Sequence, residues 1–110
     1  MKVIYVAGKY TASSDWQTYL NIHHAREAAY SLWAEGWAVI CPHSNTAFFG
    51  GAESHDVDRM KWLAGDLEFI RRSDAIYMLW NYKDSQGALM ELALAKELGL
   101  EIYYERGEEK

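Results

Sequence analysis

Two carboxylates and one phenol stand out by their surroundings. Glu91 follows Asp84-Ser85-Gln86-Gly87-Ala88-Leu89-Met90 and has Leu92 and Ala93 after it, so it sits among apolar residues. A carboxylate there either faces a pocket from a helix or lies on a solvated stripe with Glu97. Asp66, between Gly65 and Leu67 and one helical turn after Trp62, has the same two readings, with Arg71 or Arg59 as its surface partner. Where such a pair converges, one group can act as nucleophile and the other as proton carrier, the division of labour that glycosidic bond cleavage requires. Tyr5 lies in an apolar run and is either a core aromatic or a hydroxyl aimed at the same pocket. Just before Glu91, Ser85 or Asp84 suits a helix cap and Gly87 admits a ligand close to the backbone. The unpaired N–H groups of a helix start favour an anion such as phosphate.

Other groups carry less. Gly8-Lys9-Tyr10 is half of a phosphate loop, since neither G-x-G-x-x-G nor G-x-x-x-x-G-K-[ST] occurs. Of the histidines, His23 and His24 are adjacent on a helix and diverge, while Cys41 and His43 flank Pro42. With no C-x-x-C or H-E-x-x-H spacing, neither a metal nor another cofactor is expected. Cys41, the single cysteine, reads more readily as a small buried hydrophobe than as a thiol nucleophile, and it excludes an intrachain disulfide.

These residues need elements to position them. Residues 3–7 form a short apolar run that reads as a strand buried on both faces. Residues 16–35 carry Leu20, Ile22, Ala25, Ala29, Leu32 and Trp33 at helical spacing and stop at Gly36. A second buried run, 37–41, is cut by Pro42, and a loop over 43–57 follows. Residues 58–72 repeat the helical spacing with Met60, Leu63, Leu67 and Ile70, and 74–80 read as a third strand. After a turn at 81–87, Ala88, Leu92, Ala95 and Leu98 mark a helix ending at Gly99, and 100–104 form a fourth strand before a charged tail. The order βαβαβαβ implies an α/β fold of three layers, flavodoxin- or Rossmann-like. Its parallel sheet has four to five strands in the order 2-1-3-4, with helices on both faces. Ligands bind such sheets outside the carboxyl ends of the strands, where the winding reverses. The site is therefore expected from Gly8, His43 and Asn81 onward.

The 110 residues suit a single domain over 1–110, able to bury roughly two-thirds of its extended surface. Sixteen acids against eleven bases, a net charge of −5, lack the basic footprint of a nucleic-acid binder, which leaves small molecules as the expected partners. The first residues are too short an apolar run for a signal peptide and no stretch has the length of a membrane span, so a cytoplasmic location without membrane contact is expected. Aromatic residues at 15% are many for such a chain. Phe48 and Phe49 fall in the 43–57 loop, Trp62 and Trp80 beside the expected pocket, Trp33 and Trp37 in the core or a subunit contact, and Trp16 has no assigned place.

Three segments together resemble the nucleoside 2-deoxyribosyltransferase superfamily and its relatives, the deoxynucleoside 5′-monophosphate N-glycosidases: Tyr5-Val6-Ala7-Gly8, residues 66–75 beginning Asp66-Leu67-Glu68-Phe69, and Ser85-Gln86-Gly87-Ala88-Leu89-Met90-Glu91-Leu92. The short chain looks like the small branch found in phage genomes. The resemblance implies that Glu91 attacks the anomeric carbon of the deoxyribose, that Asp66 protonates the departing base and that Tyr5 orients the nucleophile. It also implies that Ser85 and Gly87 hold the 5′ end of the substrate, with Gly8, Lys9, Tyr10, His43 and Asn45 as further binding residues and the 43–57 loop choosing the base. Departures are Gly8-Lys9-Tyr10 in place of a glycine-serine pair and an end just after the fourth strand. The implied function is cleavage of a nucleoside or nucleotide N-glycosidic bond by hydrolysis or transfer, in a homodimer or higher homo-oligomer. The alternative is a non-catalytic nucleotide-binding or sensing module.

Overall fold

A computed structural model describes residues 1–45 and 59–106. The elements are β1 (Val3–Ala7), α1 (Asp15–Ala34), β2 (Ala38–Ile40), α2 (Pro42–Asn45), α3 (Arg59–Arg71), β3 (Ala75–Met78), a 3-10 turn (Tyr82–Asp84), α4 (Gln86–Leu98) and β4 (Glu101–Tyr104). All strand pairs are parallel and the sheet order is β2-β1-β3-β4, as the alternation of strands and helices predicts. The short α2 turn replaces the start of the expected 43–57 loop, whose remainder lies outside the described residues, as do Phe48 and Phe49.

Strand alternation divides the core in two. Ile4 and Val6 of β1 face α1, packing with Ala25, Ala29, Leu32, Cys41, Ala75 and Leu79. Tyr5 and Ala7 face the opposite way, packing with Ile70 of α3, Ile76 and Met78 of β3, and Ala88, Leu92 and Ala95 of α4. Helices therefore cover both faces of the sheet, and two buried clusters flank it. Period-two alternation in the strands makes this division unavoidable once both faces are covered.

Local signals set the ends. Ser14 caps α1 by accepting the Gln17 N–H, and Gly99 ends α4 at φ 74°, a left-handed conformation that suits glycine. Asp74 pins the start of the sheet: its carboxylate accepts the Val3 N–H at 2.8 Å while its own N–H donates to the Val3 carbonyl at 2.8 Å. The helical stripes are narrower than the spacing implies. The buried face of α1 is Asn21, Ile22, Ala25, Ala29 and Leu32, whereas Trp33 and Leu20 are exposed. Met60 of α3 is exposed as well. Trp16 stacks on Tyr19 at the surface, and Trp37 packs edge-on against Tyr103.

Candidate active site

Tyr5 is a core aromatic whose hydroxyl has a partner. Its ring is fully buried in the α3/α4 cluster, and its hydroxyl donates to the Oε2 of Glu91 at 2.6 Å. Glu91 is 7% exposed, which removes the reading of a solvated helix carboxylate. It reaches the sheet because α4 packs Ala88, Leu92 and Ala95 inward, and position 91 shares that face. Asp66 comes from α3 on the same side of the sheet, near enough that its charge bears on both Glu91 and Tyr5. Its surface-pair reading fails for Arg71, which binds Glu68 instead at 3.3 Å.

Burial governs the electrostatics. It pushes Glu91 up to about 8 from 4.5, helped by the Asp66 charge and opposed by the Tyr5 hydrogen bond, which favours the carboxylate. Asp66 is raised to about 6, again by burial. Tyr5 is pushed well above the usual phenol range by burial and by the two carboxyls, so it stays a proton donor. With these shifts a proton rests mainly on Glu91 near neutral pH while Asp66 is mainly ionised. The arrangement suits chemistry in which one member bears charge while the other delivers a proton.

Beside this trio stands the N-terminus of α4. Ser85 is the cap, its Oγ accepting the Ala88 N–H at 3.0 Å, and the Leu89 N–H closes the first turn on the Ser85 carbonyl. Among the described residues the N–H groups of Gln86 and Gly87 meet no acceptor, and a Cβ on Gly87 would approach nothing nearer than Ser85 Oγ at 3.8 Å. That space and those donors suit an anion.

The loop after β1 is held from three sides. Asn81 accepts the Lys9 N–H at 3.1 Å, His43 Nε2 donates to the Lys9 carbonyl at 2.9 Å, and Asn21 donates to the Tyr10 carbonyl at 3.1 Å. Thr18 completes it by accepting the Ala12 N–H at 3.0 Å. Gly8 is required by close packing: a Cβ there would lie 2.7 Å from Leu79 Cβ. Asn21 and Asn81 are buried polar residues that sequence reasoning missed as loop holders; a lone asparagine on an apolar helix face was the available signal for Asn21. Tyr10 packs beside the His43 ring at 5.7 Å. Asn45, by contrast, is exposed at the end of α2. Trp80 is also exposed, its N–H bound by Glu105 and its ring near Arg106. Cys41 is buried, and burial pushes its thiol up, away from nucleophilic chemistry. A groove of about 430 Å³ exists on the opposite, α1 face, lined by His24, Glu27, Trp37, Tyr77 and Tyr103, and none of the trio borders it.

Among solved structures, the chain is similar to a 2-deoxyribosyltransferase from the psychrotolerant bacterium Bacillus psychrosaccharolyticus, with 24% identity, a TM-score of 0.62, and coverage of 93% of this chain and 70% of that one. The two share the fold. A search of curated proteins found no match. One family profile, described as Domain of unknown function (DUF4406), matches residues 2–104. With that match spanning nearly all of its length, the chain belongs to the DUF4406 family.

Proposed function

We propose that the protein cleaves the N-glycosidic bond of a nucleoside or nucleoside 5′-monophosphate, with Glu91 as nucleophile, Asp66 as proton carrier and Tyr5 as the residue that orients Glu91. The observation that carries this reading is the buried 2.6 Å bond from the Tyr5 hydroxyl to Glu91, with the half-buried Asp66 near enough for its charge to bear on Glu91. A Glu91 oxygen bonds to C1′ as the C1′–N bond breaks, and its electron pair leaves with the base, which takes the proton of Asp66. Water then attacks C1′, gives a proton to Asp66 and releases Glu91; in transfer, the nitrogen of a second base replaces water. Hydrolysis of a monophosphate is favoured because the Gln86 and Gly87 N–H groups suit a 5′-phosphate better than a bare hydroxyl. The deoxyribosyltransferase activity named for the structural neighbour agrees with this class of chemistry.

The test is base release from a panel of deoxynucleosides and their monophosphates, with and without an acceptor base, followed by chromatography. Release is expected from the protein and is lost in Glu91→Ala and Glu91→Gln; no cleavage of any member overturns the reading. One observation favours a second reading, a nucleotide-binding or sensing module. With Glu91 raised to about 8, the free site at neutral pH holds a carboxyl that is largely protonated and a poor nucleophile. Its signature is thermal stabilisation by a nucleotide, about 2.7 kcal/mol at a hundredfold excess over the dissociation constant, without product. We also propose a homodimer or higher homo-oligomer, since α1 leaves Trp16, Tyr30 and Trp33 at the surface.

A further inference from the structure

The α1 side of the sheet is only half covered. α1 packs over β1 and β2, and among the described residues no helix lies over the β3 and β4 half of that face. Strand alternation places Tyr77 of β3 and Tyr103 of β4 there, directly opposite each other in register. Trp37 packs edge-on against Tyr103, with ring centroids 5.7 Å apart. The three rings line the groove of about 430 Å³ beside α1. Aromatic surface left open to water and rimmed by polar groups marks a binding site.

The rim says which ligand the surface suits. Glu27 and Glu35 stand on the α1 wall and Glu105 at the end of β4, and no lysine or arginine lines the groove. Among the described residues Glu35 makes no ion pair, and Glu27 meets only the exposed His23 at 3.6 Å. Glu105 is engaged by His24 at 2.7 Å and by the Trp80 N–H at 2.8 Å. Burial raises the Tyr77 hydroxyl, with Glu105 and Glu35 adding to it, so the charge of both carboxylates reaches that ring. The segments outside the described residues, 46–58 and 107–110, do not offset this charge, since they hold Glu53, Asp56, Asp58, Glu108 and Glu109 against one lysine, Lys110. Glu27 and Glu35 lie eight residues apart, about 12 Å along the helix axis. A single ammonium group cannot meet both, whereas a methylene chain carrying several can, with its apolar stretches laid on the rings.

We propose that this groove is a binding site for a linear polyamine, its ammonium groups held by Glu27 and Glu35 and its methylene chain lying over Tyr77, Tyr103 and Trp37. Tyr5 and Glu91 meet on the other face of the sheet, so the inference goes beyond the glycosidic reading and does not depend on it. Charge and ring faces act together: an inorganic dication gains the carboxylates alone, and an anionic ligand meets an acidic rim.

The experiment is calorimetric titration of the full chain at low ionic strength, without nucleotide, using spermidine, n-butylamine and magnesium chloride as probes. One spermidine per chain is expected, bound about tenfold or more tightly than either of the others, with an affinity that falls as salt rises. Glu27→Gln combined with Glu35→Gln lowers spermidine affinity by about tenfold or more. Both side chains are exposed, and an unchanged melting temperature checks that the fold stands. Tyr103→Leu lowers spermidine affinity by about threefold to tenfold and leaves magnesium unaffected, since only a cation held over a ring loses by the change. The indole N–H signal of Trp37, assigned with Trp37→Phe, shifts in step with the spermidine titration. Equal affinity for spermidine and magnesium reduces the effect to a counter-ion atmosphere and overturns the proposal. So do an unmoved Trp37 signal, binding untouched by the double substitution, and no binding at all. A trilysine peptide bound more tightly than spermidine also overturns it, in favour of a basic protein segment. None of these results alters base release from the nucleotide panel, which keeps the two readings apart.

Discussion

At the scale of single residues, the chemistry turns on how burial treats carboxylates. Glu91 and Asp66 ionise less readily in the folded protein than in the unfolded chain, so folding takes up protons between about 4.5 and 8 for Glu91 and between about 3.8 and 6 for Asp66. Stability is greatest below these windows and declines as pH rises through them. Replacing Glu91 by Gln removes that penalty while keeping the shape. Thermal denaturation of Glu91→Gln is therefore expected to show a melting temperature about 5 °C or more above the parent at pH 8, with the gain shrinking by pH 5, although activity falls by about a thousandfold or more. The activity itself should follow a bell-shaped pH profile with limbs near 6 and 8, because only the pair holding one proton can both attack and protonate. Tyr5→Phe tests the buried hydrogen bond. Its hydroxyl favours the Glu91 carboxylate, so its loss raises the Glu91 pKa further. The upper limb moves to higher pH and kcat drops by about ten- to a hundredfold; an unmoved limb would separate Tyr5 from the ionisation of Glu91.

At the scale of elements, two glycines and a cap make opposite demands. Gly8 lies against Leu79, where a Cβ would come within 2.7 Å of the Leu79 Cβ, an atom that cannot swing aside without moving the backbone. Gly8→Ala is expected to cost about 1–3 kcal/mol in chemical denaturation. Gly87 stands in open space at the start of α4, so Gly87→Ala should leave denaturation nearly unchanged yet weaken binding of a 5′-monophosphate more than of the parent nucleoside. Equal weakening of both ligands would move the phosphate away from α4. Ser85→Ala removes the acceptor of the Ala88 N–H and should lower stability by about 1 kcal/mol, read in the same denaturation series. The cap, the strand runs and the order of elements were legible because each depends on a few consecutive residues. The widths of the helical stripes were less so: Trp33 and Met60 sit at apolar spacing, yet nothing in the described core lies opposite them.

At the scale of the whole molecule, an exposed aromatic surface coexists with an acidic balance of −5. Tyr30 and Trp33 of α1 are the surface we expect to mediate self-association, and light scattering of the parent should give a mass of two or more chains. Tyr30→Glu combined with Trp33→Glu is expected to yield monomers of unchanged stability, and a monomeric parent overturns the assembly proposed above. Among the described residues no helix is long and apolar enough to cross a membrane. By itself the sequence determined the strand-helix alternation, and with it the parallel 2-1-3-4 sheet, because hydrophobic period and turn residues are local and the crossover rules leave few topologies. It also singled out Tyr5, Asp66 and Glu91 as candidates while leaving each with a surface or core alternative. Only the tertiary structure brought Tyr5 and Glu91 together. Tyr5 and Glu91 are 86 residues apart, and their meeting depends on β1 turning Tyr5 toward the face that α4 covers. The raised carboxyl pKa values and the support of Lys9 by Asn81 likewise arise from burial and long-range hydrogen bonds, which depend on what the completed fold excludes from water and on no spacing along the chain.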